Sequence, residues 1–248
     1  MKLNCKEFKV KEYLTVVPFG DMHYGSKECD EKLIYEWIDW IKKQKNIAVI
    51  GMGDFINCGT KVSVGAGSYD DRKIPEEQYN DMIDMLKPIK DKIIGMHIGN
   101  HEERIRQLSS FDIVKEMSKR LDVQYLGYSA LNKLKVNKFN YIAFSTHGSS
   151  GSTTNAGRIA ACQKLQDIAN ADLYLMGHTH GLMNFATSYL DVNLKNKIIE
   201  EHKKHFVLTG NFVSWTGGYG EQKNYPLLKK GAPKIKLFGD RFDTHVSL

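Results

Sequence analysis

The sequence predicts an α/β fold with a largely parallel core, completed by further strands. Two observations carry this. Up to about residue 180, short apolar runs alternate with stretches of helical periodicity, the pattern of βαβ units. Beyond about 183 the helical periodicity weakens and β-type runs take over. Nothing resembling a repeat, a low-complexity tract or a long linker interrupts the 248 residues. One domain spanning 1–248 is therefore the expectation.

Each element follows from its pattern. Leu14–Phe19 is a continuous apolar run and reads as the first strand. Leu33, Ile34, Trp37, Ile38 and Ile41 recur at helical spacing, so about 30–44 is an amphipathic helix. Ile47–Gly51 is the next strand. Met82, Ile83, Met85, Leu86 and Ile89 mark a second helix, and Ile93–Ile98 a third strand. Phe111, Val114, Met117 and Leu121 mark another helix, with Ser110 as its expected N-cap. Tyr141–Thr146 is a strand, Ile159, Cys162, Leu165 and Ile168 mark a helix, and Asp172–Met176 is a strand. His205–Leu208 and Lys234–Phe238 are the late β-type runs.

Composition narrows the class. No run approaches the roughly 18 apolar residues of a membrane span, and Leu14–Phe19 is too short for a signal-peptide core. The expectation is a cytoplasmic protein without membrane contact. Cys5, Cys29, Cys58 and Cys162 form no CxxC pair, which excludes zinc-ribbon and thioredoxin-like readings and leaves buried free thiols. The net charge of +6, with lysines concentrated late in the chain, suits a phosphorylated or polyanionic partner.

Five segments share one arrangement, an apolar strand followed by residues able to bind metal. They are Gly20-Asp21-Met22-His23, Gly53-Asp54, Gly99-Asn100-His101-Glu102, Thr146-His147-Gly148 and Gly177-His178-Thr179-His180. In α/β sheets, ligands gather beyond the carboxyl ends of strands. Five such ends would project Asp, Asn and His into one rim. In Asp21-x-His23 and His178-x-His180, period-2 spacing puts both side chains on one side if the backbone stays extended. Carboxylate, amide and imidazole donors without thiolate suit Mn, Fe or Zn better than Mg or Ca.

The order Asp-x-His, Gly-Asp, Gly-Asn-His-Glu, His, Gly-His-x-His resembles the calcineurin-like metallophosphoesterase superfamily, with all five motifs present between residues 21 and 180. The resemblance implies a β-sandwich flanked by helices in α/β/β/α layers. It implies two divalent ions, with manganese expected first. Asp21, His23 and His180 would hold one, Asn100, His147 and His178 the other, and Asp54 would bridge them. A metal-bridging hydroxide would attack phosphorus in line, with His101 as general acid. Asn57 would orient His101 or touch the phosphate.

The ester type is less sharply written. Ser/Thr phosphoprotein phosphatases of the superfamily continue the second motif as Gly-Asp-x-x-Asp-Arg-Gly. Here it reads Gly53-Asp54-Phe55-Ile56-Asn57-Cys58-Gly59, without that Asp and Arg. The retained His101 equips the site for a poor leaving group. Phosphodiesters of nucleotides or nucleic acid fit best, as for a compact phosphodiesterase or minimal nuclease. A phosphomonoesterase and a non-catalytic binding module of the same fold are the alternatives. Three loops are the expected specificity determinants: Thr60–Lys73, Gly148–Gly157 with Arg158 just beyond, and Asn211–Gly220 with Phe212, Trp215 and Tyr219. Arg104 and Arg106 would line the entrance.

Overall fold

The structure, a computed structural model, describes residues 1–60, 63, 71–217 and 219–248, the side chain of Tyr219 excepted. Two six-stranded mixed sheets lie face to face. The first holds β1 (Lys2–Phe8), β6 (Ser129–Val136), β7 (Phe139–Thr146), β8 (Leu173–Met176), β10 (Ile198–Thr209) and β9 (Leu182–Asn193), in that spatial order. The second holds β12 (Thr244–Ser247), β11 (Lys234–Phe238), β2 (Tyr13–Phe19), β3 (Ile47–Gly51), β4 (Ile93–His97) and β5 (Tyr125–Gly127).

The apolar runs are strands buried on both faces, which is why they lack polar alternation. Leu14, Val16, Ala48 and Ile50 point between the sheets, against Leu134, Tyr141, Leu173 and Val207. Val17, Phe19 and Val49 point outward, under α1 (Glu31–Lys43), α2 (Pro75–Leu86) and α4 (Ile113–Leu121). On the far side, α5 (Asn155–Gln163) lays Cys162 over Phe144, Tyr174 and Phe206. The result is the expected α/β/β/α layering.

Parallel pairing links β2-β3-β4-β5 in one sheet and β7-β8-β10 in the other, and also joins the edge strand β1 to β6. The five strands that feed the site, β2, β3, β4, β7 and β8, run in the first two of these blocks. Both blocks end at the rim where the motif residues meet.

Several expectations change. Ser110 is not the cap of the fourth helix; Asp112 is, its Oδ1 accepting from Lys115 N at 2.9 Å. Ser110 instead closes α3 (Asn100–Ser109) with a left-handed φ of 59°. Phe111 and Ile168 lie outside the helices and are exposed. Three cysteines are buried free thiols, but Cys5 is exposed. β9 and β10 pair over twelve residues, while β8 reaches β10 only at His205–Leu208. The outer half of this hairpin thus extends past the sheet, with Leu190 and Val192 exposed. Among the described residues no helix is long and apolar enough to cross a membrane.

Candidate metal centre

Seven side chains converge at the rim. β2 leads into Asp21 and His23, β3 into Asp54, β7 into His147, and β8 into His178 and His180. β4 leads into α3, whose first residue is Asn100. His23 Nε2 and His180 Nε2 lie 3.0 Å apart. Asp21 Oδ1 is 3.6 Å from His180 Nε2. Asn100 Oδ1 lies 2.9 Å from His147 Nε2 and 2.7 Å from His178 Nδ1. Asp54 Oδ2 sits between the two groups, 3.7 Å from His23 Nε2 and 3.3 Å from His147 Nε2.

The backbone is not extended where these residues sit. Asp21, His23, Asp54, His178 and His180 all adopt positive φ, between 47° and 63°. Such conformations are uncommon for residues with a Cβ and cluster at functional sites. The paired motifs converge through left-handed turns, not through strand periodicity. The motif glycines serve the same convergence. A Cβ on Gly99 would lie 2.1 Å from Asp54 Oδ1, and one on Gly177 would lie 2.7 Å from Asp21 Oδ2.

A layer of hydrogen bonds fixes the site residues. The Glu102 carboxylate accepts from four backbone amides: Asp54 (3.0 Å) and Gly99 (3.0 Å) on Oε2, Phe55 (2.7 Å) and Ile56 (3.2 Å) on Oε1. His147 Nδ1 donates to the Met52 carbonyl at 2.8 Å, which turns Nε2 toward the centre; burial disfavours the charged ring, but Asp54 and Asp21 raise it to about 10, so Nε2 carries a proton here that a bound cation would displace. Asp21 accepts from His178 N, Asp54 Oδ1 accepts from His101 N, and Asn211 Nδ2 donates to the His180 carbonyl.

The residues fit divalent cations. Imidazole, carboxylate and amide oxygen donors are gathered with no thiolate, the set suited to Mn, Fe or Zn. Ligand atoms of Asp21, His23 and His180 all lie within 4.8 Å of one another, as do those of Asp54, His147 and His178. Burial, reinforced by the neighbouring imidazoles, lowers His23 and His180 to about 3, so both rings are neutral and carry a lone pair. Burial raises the Asp54 carboxyl, but His147, His101 and His23 together hold it well below the usual range.

A sequence profile of the calcineurin-like phosphoesterases matches residues 14–182. The chain belongs to the calcineurin-like phosphoesterase family. Among solved structures, wild-type Vps29 complexed with Zn²⁺ from Entamoeba histolytica is 14% identical at a TM-score of 0.42, covering 94% of this chain and 98% of that one. A predicted phosphoesterase from Streptococcus pneumoniae TIGR4 is 16% identical at a TM-score of 0.37, covering 96% and 90%. No protein of curated function matches. Membership of the calcineurin-like family implies divalent metal ions, in keeping with the donor set.

The remaining expected residues fall around this centre. His101 Nδ1 donates to the Asn57 carbonyl at 2.8 Å, and its Nε2 lies 3.9 Å from Asp54 Oδ2. Asn57 thus reaches His101 through its backbone; its side-chain amide donates to Asp71. The Arg104 guanidinium lies against the His101 ring, Nη2 3.1 Å from Nε2. Arg106 instead pairs with Glu103. Arg158 and Trp215 line a cleft of about 340 Å³ that also contains His23, Asp54, Asn100 and His101. Phe212 is core, packed edge-on against Phe19 at 5.0 Å. Most of the Thr60–Lys73 loop and the Tyr219 side chain lie outside the described residues. Sequence reasoning assigned no role to Glu102 or Asn211. A buried acid three residues past Gly99 is the capping-box spacing, which was available as a signal for Glu102.

Proposed function

We propose that the chain is a metal-dependent phosphodiesterase acting on nucleotides or nucleic acid. The observation that carries this reading is room on both sides of the ligand cluster. The cleft with Trp215 and Tyr225 opens on one side. A groove of about 840 Å³, bordered by His147, Tyr128 and Lys164, opens on the other. The two share Asn100, Ser150 and Ser152. A diester has two ester arms and needs a channel for each, whereas a monoester needs one. Aromatics beside a phosphate site suit stacking on bases.

In this reading Asp21, His23 and His180 hold one ion, Asn100, His147 and His178 the other, and Asp54 touches both. Two divalent ions there would polarise the phosphate and acidify a water within reach; manganese is the ion we assign. The chain's own part is positioning and proton transfer. Glu102 pins the Asp54 segment, and the Met52 carbonyl fixes the His147 tautomer. With Nδ1 committed to Asn57, His101 has only Nε2 to offer the leaving oxygen. Burial, opposed by Asp54 and reinforced by Arg104, lowers His101 to about 4. The ring is therefore neutral in this structure, and the negative charge of a bound phosphate is what would raise its affinity for the proton it delivers.

Metal-dependent turnover of bis-p-nitrophenyl phosphate against p-nitrophenyl phosphate tests the reading. With Mn²⁺, kcat/KM is expected to favour the diester; a preference for the monoester would reverse the assignment. Retention of all seven donor residues also argues against a module that has lost its chemistry, and absence of any turnover would restore that alternative.

A further inference from the structure

Arg158 stands beside the centre without a partner equal to its charge. It is the fourth residue of α5 and 4% exposed. Burial lowers the pKa of its guanidinium, and among the described residues no carboxylate pairs with it. Among the described residues only its Nη1 is bonded, to Asn155 Oδ1 at 3.3 Å; Nε and Nη2 find no hydrogen-bond partner there. Arginine is almost never buried unless paired, because an uncompensated buried charge is strongly destabilising. Nε and Nη2 form the edge of the guanidinium that grips two oxygens of one oxyanion.

A second unpartnered atom lies in the same cleft. Thr179, between His178 and His180, is 7% exposed, and its Oγ1 has no partner among the described residues. The Arg158 stem packs against the same segment two residues on, its Cδ 3.4 Å from where a Cβ on Gly181 would sit. Ser150–Thr153 line this cleft on the way into α5, whose first turn carries no acidic residue. A cation does not satisfy this edge, but a phosphoryl oxyanion does. Arg158 makes no hydrogen bond to any of the seven residues of the centre.

We propose that Arg158 and Thr179 form a subsite for a second phosphoryl group of the substrate, adjoining the one that is hydrolysed. This deepens the phosphodiesterase reading and rests on it for the nature of the ligand. The substrate class becomes a nucleotide diester bearing a further phosphate, either the next phosphate of a strand or the terminal phosphate of a free nucleotide.

Two arms test this. In the first, binding of inorganic phosphate to the full chain in EDTA is measured by calorimetry, with no turnover required. Wild type is expected to bind, and Arg158→Gln to bind about 10- to 100-fold more weakly. The melting temperature should be unchanged or raised, since an unpaired buried charge is removed. No phosphate binding by wild type, equal binding by both proteins, or a marked fall in melting temperature overturns the subsite. In the second arm, with Mn²⁺, the p-nitrophenyl ester of thymidine 5′-phosphate is compared with its 3′-phosphorylated form and with oligothymidylate. Arg158→Gln should raise KM about 10- to 100-fold on the phosphorylated substrates, with little change in kcat and little effect on the plain ester. An effect confined to the 3′-phosphorylated ester identifies the terminal phosphate, and one shared with the oligonucleotide identifies the strand. Equal loss on all three substrates overturns the proposal. Failure of every ester to react removes the phosphodiesterase reading while leaving the first arm to judge the subsite.

Discussion

Replacing Glu102 by Gln perturbs the device that sets the centre's geometry while keeping the side chain's shape. The Glu102 carboxylate accepts from the backbone amides of Asp54, Phe55, Ile56 and Gly99, two on each oxygen, and is fully buried. In Gln one oxygen becomes an NH₂ group, which strands two of the four amides. A buried donor left without an acceptor costs about 1–3 kcal/mol, so Glu102→Gln should destabilise by about 2–6 kcal/mol. Domains have about 5–15 kcal/mol in total, so the variant should still fold, whereas Glu102→Ala strands all four amides. Burial, with Asp54 next, raises the Glu102 carboxyl to about 7, the direction in which a neutral amide would be harmless; the four donors oppose it. Urea unfolding at pH 8 followed by tryptophan fluorescence reads the stability. Calorimetric Mn²⁺ titration should show about 10- to 100-fold weaker binding, the usual cost of losing a group that orients ligands. A midpoint and Mn²⁺ affinity both equal to wild type would refute the role of Glu102.

His101→Ala should keep metal binding and lose about 10²–10⁴-fold in kcat on an alkyl-nucleoside diester. It should lose far less on a p-nitrophenyl ester, which leaves without a proton; equal losses on both would remove the proton-donor role. His97 is wholly buried between the sheets, Nδ1 donating to the Gly127 carbonyl and Nε2 accepting from Ser145. Burial lowers it from 6.5 to about 4. The unfolded chain therefore binds the proton first, so this contribution is complete above pH 6.5 and is lost as pH falls from 6.5 toward 4. Linkage gives a loss of about 2 kcal/mol at pH 5. The unfolding free energy of His97→Gln should fall less than that of wild type between pH 7.5 and 5, and parallel curves would contradict the assignment.

Much of this was legible because of where the strands end. β2, β3, β4, β7 and β8 are covered on both faces, so their apolar runs are continuous, and the polar residues after each stand out. What the sequence hid has specific causes. β1, KLNCKEF, is an edge strand with only Asn4 fully buried, so it carries no apolar signal. Asn4 joins Asn132, Ser145 and His97 in a polar chain between the sheets that hydropathy cannot reveal. α3 buries a single residue, Glu102, and so lacks an apolar stripe. The outer halves of β9 and β10 are solvated on both faces and have no hydrophobic period. The left-handed turns at five site residues depend on contacts distant in sequence, which the extended-strand argument for Asp21-x-His23 could not anticipate.

In the proposed function, seven residues hold two ions and Asp54 bridges them. Anomalous scattering from crystals of the Mn²⁺-loaded chain tests it most directly. Two manganese peaks roughly 3.5–4 Å apart are expected, with Asp54 ligating both and Asp54→Asn losing at least one. A single peak, or ions bound away from Asp21, His23, Asn100, His147, His178 and His180, would contradict it.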